Sequence, residues 1–155
     1  MHQSLGLGAM LDCSRGAVMH LPALKRYIDL LAKMGYKTLM LYTEDTYEIE
    51  EEPYFGYRRG KYTVKELREV DAYAAERGIE LMPCIQTLAH LDGLMRWSRF
   101  RPFLDTDNIL LVDDDRTYEL IEHMFASLEK SFSSRRVHIG MDEANMLGRG
   151  RYLEQ

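Results

Sequence analysis

The sequence predicts an α/β fold, about four parallel strands with flanking helices, and two observations carry that expectation. Short apolar runs alternate with segments whose apolar residues recur every three or four positions. Each apolar run also ends in a cluster of polar residues, as strands of a parallel sheet do at the edge where ligands bind. With 155 residues, 46% hydrophobic and 29% charged, the chain is long enough for one domain and apolar enough for one core.

The first strand is read at 7–11, followed by Asp12, Cys13, Ser14 and Arg15. A helix follows over 22–34. Pro22 suits its first turn, Leu24, Tyr27, Ile28, Leu31 and Met34 form one face, and Gly35 offers a left-handed stop. The second strand is 37–43, and a polar and aromatic loop then runs from 44 to 62. Thr63 and Glu66 have the spacing of a capping box, which opens a helix to about Arg77 with Gly78 as its stop. The third strand is 79–85. From 86 to 107 the pattern is irregular, with a short helix near 91–97. A further helix over 116–132 shows Tyr118, Ile121, Phe125 and Leu128 on one face. The fourth strand is 136–141, ending in Asp142 and Glu143. The strands are almost continuously apolar, which fits either a sheet covered on both faces or one closed into a barrel. The methionines at helical and strand spacing are expected in the core.

The bulk numbers exclude several functions. A net charge of −5 with interspersed signs gives no electrostatic footprint for nucleic acid. No apolar run approaches the ~20 residues that span a bilayer, so no membrane partner is expected. The first residues have no basic and apolar leader pattern, and Cys13 and Cys84 read as reduced, buried thiols. A cytoplasmic protein is the expectation.

Chemistry-bearing side chains collect after all four strands: Asp12 and Arg15, Glu44 and Asp45, Gln86 and His90, then Asp142 and Glu143. The last of these groups lies in the most specific stretch, His138-Ile139-Gly140-Met141-Asp142-Glu143, which resembles the His-x-Gly-x-Asp-Glu motif of the family 20 glycoside hydrolases, the β-N-acetylhexosaminidases. The other segments agree in order. Asp12-Cys13-Ser14-Arg15 is similar to the family's Asp-x-x-Arg after its first strand, Glu44-Asp45 to its paired acids, and Pro83 through His90 to its Pro…His segment. The wording LYTEDTYE and PCIQTLAHL lies nearest the bacterial exo-β-N-acetylglucosaminidase branch. Two positions depart from the pattern: Glu44, where the family commonly has Asp, and Ala89, where it commonly has Gly.

The resemblance implies a partial (β/α)8 TIM barrel, with residues 1–155 as a single domain forming the N-terminal half of the catalytic barrel. It implies release of a terminal β-linked N-acetylglucosamine or N-acetylgalactosamine from an oligosaccharide or small-molecule substrate. The mechanism is substrate-assisted and retaining. Glu143 would be the acid/base and Asp142 would orient the acetamido group. Arg15 would hold sugar hydroxyls with its fork of donors, His90 and Asp45 would extend a hydrogen-bonded chain from Glu143, Glu44 would join the substrate-binding set, and His138 would brace the strand end from inside the barrel. Tyr42, Tyr54, Tyr57 and Trp97 are candidate stacking faces for a pyranose, although packing beneath a loop explains each one alone.

Read without the family, an Asp-Glu pair after a strand is often an N-cap, and His90, His138, Asp142 and Glu143 are ligand types for a zinc-like ion. With no His-x-His pair, neither a metal nor a cofactor is expected. The alternative function is a catalytically incomplete half barrel whose uncovered edges leave homo-oligomerisation open.

Overall fold

A computed structural model describes residues 6–106 and 108–154. The first five residues, on which part of the leader reading rests, and Asp107 lie outside the described residues. Three strands, β1 (Gly8–Asp12), β2 (Thr38–Tyr42) and β3 (Glu80–Cys84), form one parallel sheet in the order β1-β2-β3. The helices are α1 (Leu21–Lys33), α2 (Val64–Ala75), the single turn α3 (Asp92–Met95) and α4 (Asp115–Ser131).

Local chemistry accounts for the ends of these elements. Pro22 sits in the first turn of α1, and Gly35 follows it at φ +83°. Thr63 accepts from the Glu66 N–H while Glu66 accepts from the Thr63 N–H, so the expected capping box opens α2, and Gly78 leaves it at φ +69°. Asp114 caps α4 by accepting from the Arg116 N–H.

In register, Leu39, Leu41 and Leu81 point to the helical layer, where they are buried with Leu24 and Ile28 of α1, Leu67 and Val70 of α2, and Leu120 and Met124 of α4. Each such leucine contributes roughly 1.5–3 kcal/mol by leaving water. The opposite face presents Met10, Met40 and Met82, paired in one row across the three strands. Met10 is 49% exposed. The sheet is therefore covered on one face and open on the other, and the expectation that the strand methionines are core is corrected. Met34, Met95 and Met141 are exposed as well, whereas Met124 is buried.

Two other expectations change. The segment 136–141 does not form a full strand. It meets β3 through one parallel bridge, Cys84 with His138, supported by Ile85 N–H to His138 O (2.9 Å) and Thr87 N–H to Gly140 O (3.2 Å). Among the described residues it has a neighbour on one side only, and Gly140 at φ +57° ends the extended run. The buried face of α4 is also rotated from the predicted one. Thr117, Leu120, Met124, Ser127, Leu128 and Ser131 face inward, while Tyr118 and Phe125 are exposed. Small hydroxyl residues permit that approach because they bond to carbonyls of the facing loops, Thr117 to Leu111 and Ser127 to Glu48. Cys13 and Cys84 are free and buried, and burial pushes the Cys84 thiol up to about 11. Among the described residues no helix is long and apolar enough to cross a membrane.

Candidate active site

All the candidate residues lie just beyond the carboxyl ends of the strands, and hydrogen bonds tie each strand end to the next. Asp12 closes β1 by accepting from the N–H groups of Ser14 (2.8 Å) and Arg15 (3.1 Å). That turn brings the Arg15 guanidinium back onto Asp12 at 3.0 Å and over the Tyr42 ring at 4.9 Å, with Glu44 at 3.8 Å. Burial would raise the Asp12 carboxyl, but the two N–H donors and Arg15 outweigh it and hold it below the usual range.

Beyond β2, Glu44 accepts from the Ser14 hydroxyl (2.7 Å) and the Tyr42 hydroxyl (3.2 Å). Asp45 is 2% exposed and pairs with Arg59, whose guanidinium also donates to the Ser14 carbonyl. Burial raises the Asp45 carboxyl above its ordinary value while Arg59 pulls it back. Gly93 is pressed against the Asp45 carboxylate, where a side chain would collide with it.

Beyond β3, Gln86 is completely buried, and its amide N–H group reaches both the Tyr42 hydroxyl (3.2 Å) and Asp142 (3.2 Å). Among the described residues its carbonyl oxygen has no partner. Burial would raise Asp142, but donation from Gln86, from its own backbone and the field of His90 and His138 together hold its carboxyl below the usual range. His90 Nε2 lies 3.5 Å from Asp142 and 3.4 Å from Glu143. Among the described residues four non-glycines have positive φ, and His90 (59°) and Glu143 (51°) are two of them. Such backbone costs of order 1–3 kcal/mol and gathers at functional sites. Here it turns two successive carboxylates toward one imidazole, which neighbours on an ideal strand could not both face. The Glu143 side chain remains 71% exposed.

The structure thus brings together His90, Asp142 and Glu143, with Gln86 behind them. Arg15, Asp12 and Glu44 form a second cluster, bridged to the first through Tyr42. Asp45 turns to Arg59; among the described residues no hydrogen bond joins it to His90, so that part of the expected chain is not formed. His138 is exposed and its Nδ1 accepts from the Gly140 N–H at 3.2 Å, so its hydrogen bond supports its own turn and it acts on Asp142 only through its field. No helix begins at Asp142 or Glu143; the next helical turn, 151–153, is capped from Gly150. The N-cap reading of the pair is thereby removed. Tyr54, Tyr57 and Trp97 pack on one another at 5.1–5.7 Å between ring centres, while Tyr42 is buried beneath Arg15.

Sequence reading left out Arg59 and Ser14. Arg59 lies deep in the second loop with no spacing cue to mark it. Gln86, directly after a predicted strand, was visible as a polar strand-end residue but not as the donor to Asp142.

The arrangement offers a solvent-facing carboxyl group at Glu143, an adjacent carboxylate at Asp142 whose proton affinity is lowered, and an imidazole within 3.5 Å of both. This is the set needed to transfer a proton and to accept an N–H. Ligand atoms of His90, Asp142 and Glu143 also lie within 4.8 Å of one another, so these three could hold a metal ion. A groove of about 410 Å³ between α4 and residues 133–137 contains none of the candidate residues.

The family model for the glycosyl hydrolase family 20 catalytic domain matches residues 7–149. A β-hexosaminidase of Vibrio furnissii is 30% identical over 88% of the chain and 28% of its own length. The crystal structure of a β-N-acetylhexosaminidase from Streptomyces coelicolor superposes with a TM-score of 0.77 at 28% identity, covering 88% of this chain and 33% of that one. An exo-β-N-acetylglucosaminidase from Vibrio harveyi, solved with N-acetylglucosamine, gives a TM-score of 0.77 at 25% identity over 92% of this chain and 28% of its own. The chain spans about a quarter to a third of the length of these relatives.

Proposed function

The chain belongs to glycosyl hydrolase family 20, and from that premise we propose that it is the N-terminal half of a β-N-acetylhexosaminidase barrel and carries that enzyme's proton donor. The observation that most supports the reading is the contact of His90 with both Asp142 and Glu143 while Gln86 donates to Asp142. Its substrate is an oligosaccharide or smaller glycoside ending in a β-linked N-acetylhexosamine.

In this reading Glu143 gives its proton to the leaving oxygen as the bond to the anomeric carbon breaks. The carbonyl oxygen of the substrate's 2-acetamido group attacks that carbon from the opposite face. Asp142 accepts the acetamido N–H, which orients the group and stabilises the positive charge that develops on it. Its low proton affinity keeps it ionised for that task. Glu143, now a carboxylate, takes a proton from water, which opens the ring from the first face. Two inversions give net retention, as substrate assistance requires. His90, with its Nε2 within 3.5 Å of both carboxylates, steadies the charge on whichever is ionised. Arg15, braced by Asp12 and Glu44, extends a fork of donors toward the sugar hydroxyls.

The test is hydrolysis of p-nitrophenyl β-N-acetylglucosaminide by this chain and its Glu143→Gln variant. Loss of about 10²–10⁴-fold in the variant is the expected result, the usual worth of general acid catalysis; activity retained in the variant sinks Glu143 as donor. A second reading, an incomplete half barrel that self-associates, is favoured by the open methionine row of Met10, Met40 and Met82. It predicts a dimer in sedimentation and no turnover, and a well-folded monomer counts against it.

A further inference from the structure

We propose that His90, Asp142 and Glu143 form a binding site for a divalent transition-metal ion of the zinc class, and that the ion inhibits the site by excluding the sugar. The ion site stands on geometry alone; the exclusion rests on the reading of Asp142 and Glu143 as the residues that meet the N-acetylhexosamine. Zinc holds imidazole nitrogen and carboxylate oxygen at about 2.0–2.2 Å in a tetrahedron, which sets its ligand atoms roughly 3.3–3.6 Å apart. His90 Nε2 lies 3.5 Å from Asp142 Oδ2 and 3.4 Å from Glu143 Oε2, and ligand atoms of the three residues all lie within 4.8 Å of one another. Two edges of a ligand triangle are therefore at zinc spacing. The third closes by rotation of the Glu143 side chain, which is 71% exposed.

A second observation is the unmet bonding of the imidazole. Among the described residues His90 Nε2 is shut off from solvent and makes no hydrogen bond, although it faces two carboxylate oxygens. Among the same residues neither Asp142 nor Glu143 has a lysine or arginine partner, whereas at the neighbouring strand ends Asp12 pairs with Arg15 and Asp45 with Arg59. A sealed ring nitrogen and two acids without a basic partner lack a cation. One nitrogen and two carboxylates are too few oxygens for calcium or magnesium, which take six or more hard ligands, and suit zinc and its neighbours.

The supports of a ligand set are in place as well. Gln86 donates to Asp142 at 3.2 Å, the kind of hydrogen bond that orients a ligating carboxylate. The positive φ of His90 and Glu143, 59° and 51°, commits the backbone to gathering the three side chains before any ion arrives. The sequence points away from a metal because it has no His-x-His pair; the ligands come instead from the loop after β3 and the segment after Gly140. Three protein ligands leave the fourth position of a tetrahedron to water. A carboxylate that ligates an ion cannot also accept the acetamido N–H, and one that does so carries no proton for a leaving oxygen. Ion and sugar therefore exclude each other.

The experiment is a titration of the ¹⁵N-labelled chain with zinc chloride, using calorimetry for affinity and the histidine ring resonances for location. A single ion is expected, with the His90 ring shifting as it binds and magnesium binding at least about 100-fold more weakly. His90→Ala and Glu143→Gln should each weaken zinc by about tenfold or more. Glu143 is exposed, so its variant keeps the test alive if His90→Ala fails to fold, which the spectra report. No zinc binding, an affinity that survives Glu143→Gln, or ring shifts confined to other histidines overturns the ion site. N-acetylglucosamine at about ten times its own Kd should then weaken zinc by about tenfold through competition. Zinc bound through His90 and Glu143 with no such competition keeps the ion site, and overturns both the exclusion and the reading of the two carboxylates as the sugar site.

Discussion

Replacing Gly140 with alanine should detach the carboxylate segment without unfolding the chain. Gly140 has φ +57°, which costs a residue with a side chain about 1–2 kcal/mol. An added Cβ would also collide with the Ile85 carbonyl oxygen and lie 2.6 Å from the Gln86 side-chain oxygen, where ordinary contact begins near 3.4 Å. Both obstacles are rigid, one being backbone and the other a fully buried amide. Residues 138–142 must therefore move by about 1 Å, which stretches the Ile85–His138 and Thr87–Gly140 backbone bonds, now 2.9 and 3.2 Å, at about 1 kcal/mol each. The sum is about 3–4 kcal/mol, borne by a segment that joins the sheet through a single bridge. Native-state hydrogen exchange at the Ile85 and Thr87 amides should accelerate by about 10²–10³-fold, since each 1.4 kcal/mol is a factor of ten. Gly78→Ala is the control: φ is +69° but nothing lies within 4 Å of the added Cβ, so backbone strain acts alone, at about 1 kcal/mol. Unchanged exchange at Ile85 and Thr87, or an equal loss of stability in both variants, refutes the reasoning.

Gln86→Leu removes the donor to Asp142 together with a buried carbonyl that has no partner among the described residues. The two effects on stability offset to within about 1 kcal/mol, while the Asp142 carboxyl titrates at higher pH than in the parent chain, read by carboxyl ¹³C shifts; an unmoved titration contradicts the assignment. Thr63→Ala dismantles the α2 capping box and should cost about 1 kcal/mol, seen as a melting point lower by roughly 2–4 °C; no change would mean the cap is idle. Arg77 holds Asp29, Arg136 holds Glu80 and Arg116 holds Asp114 below their ordinary carboxyl values. Each pair therefore favours the folded chain above the ordinary values of 3.8 (Asp) and 4.5 (Glu), and that contribution fades as pH falls through the lower folded ones. Denaturant midpoints should drop below about pH 4.5, and a rising midpoint on acidification contradicts the assignment.

Where the determinants are local, sequence reading locates them well. Pro22, Gly35, Gly78 and the Thr63–Glu66 pair mark helix ends within a residue or two because the chemistry lies inside one turn. The position of the site is legible for a similar reason, since polar residues directly after apolar runs must emerge at one edge of a parallel sheet. What fails is whatever depends on a distant neighbour. The face of α4 is misjudged because Tyr118 and Phe125 outweigh Thr117, Ser127 and Ser131 by hydropathy, while packing selects the small residues, two of which, Thr117 and Ser127, bond to facing carbonyls. The segment at 136–141 meets β3 through a single bridge, and Gly140 at φ +57° ends its extended run before a longer ladder forms. The pairing of Asp45 with Arg59 spans fourteen positions of loop, and no spacing rule anticipates it.

The path of hydrogen bonds explains why a lightly anchored, exposed glutamate can still be held in a defined position. From Asp12 the connections pass through Arg15 and Ser14 to Glu44, from Glu44 to the Tyr42 hydroxyl, from Tyr42 to Gln86, and from Gln86 to Asp142. Tyr42 and Gln86, the middle members, are the buried ones, and their bonds are worth most because water does not compete there. Exposure then increases outward to Asp142 and Glu143, where a ligand must enter. Each strand contributes one step, so the sheet register Asp12–Tyr42–Cys84 sets the spacing of the polar path laid over it. A slip of one residue in β2 would turn Tyr42 to the helical face and cut the path at its centre. The same pairing that builds the core therefore positions the carboxylates, and the fold and the site stand or fall together.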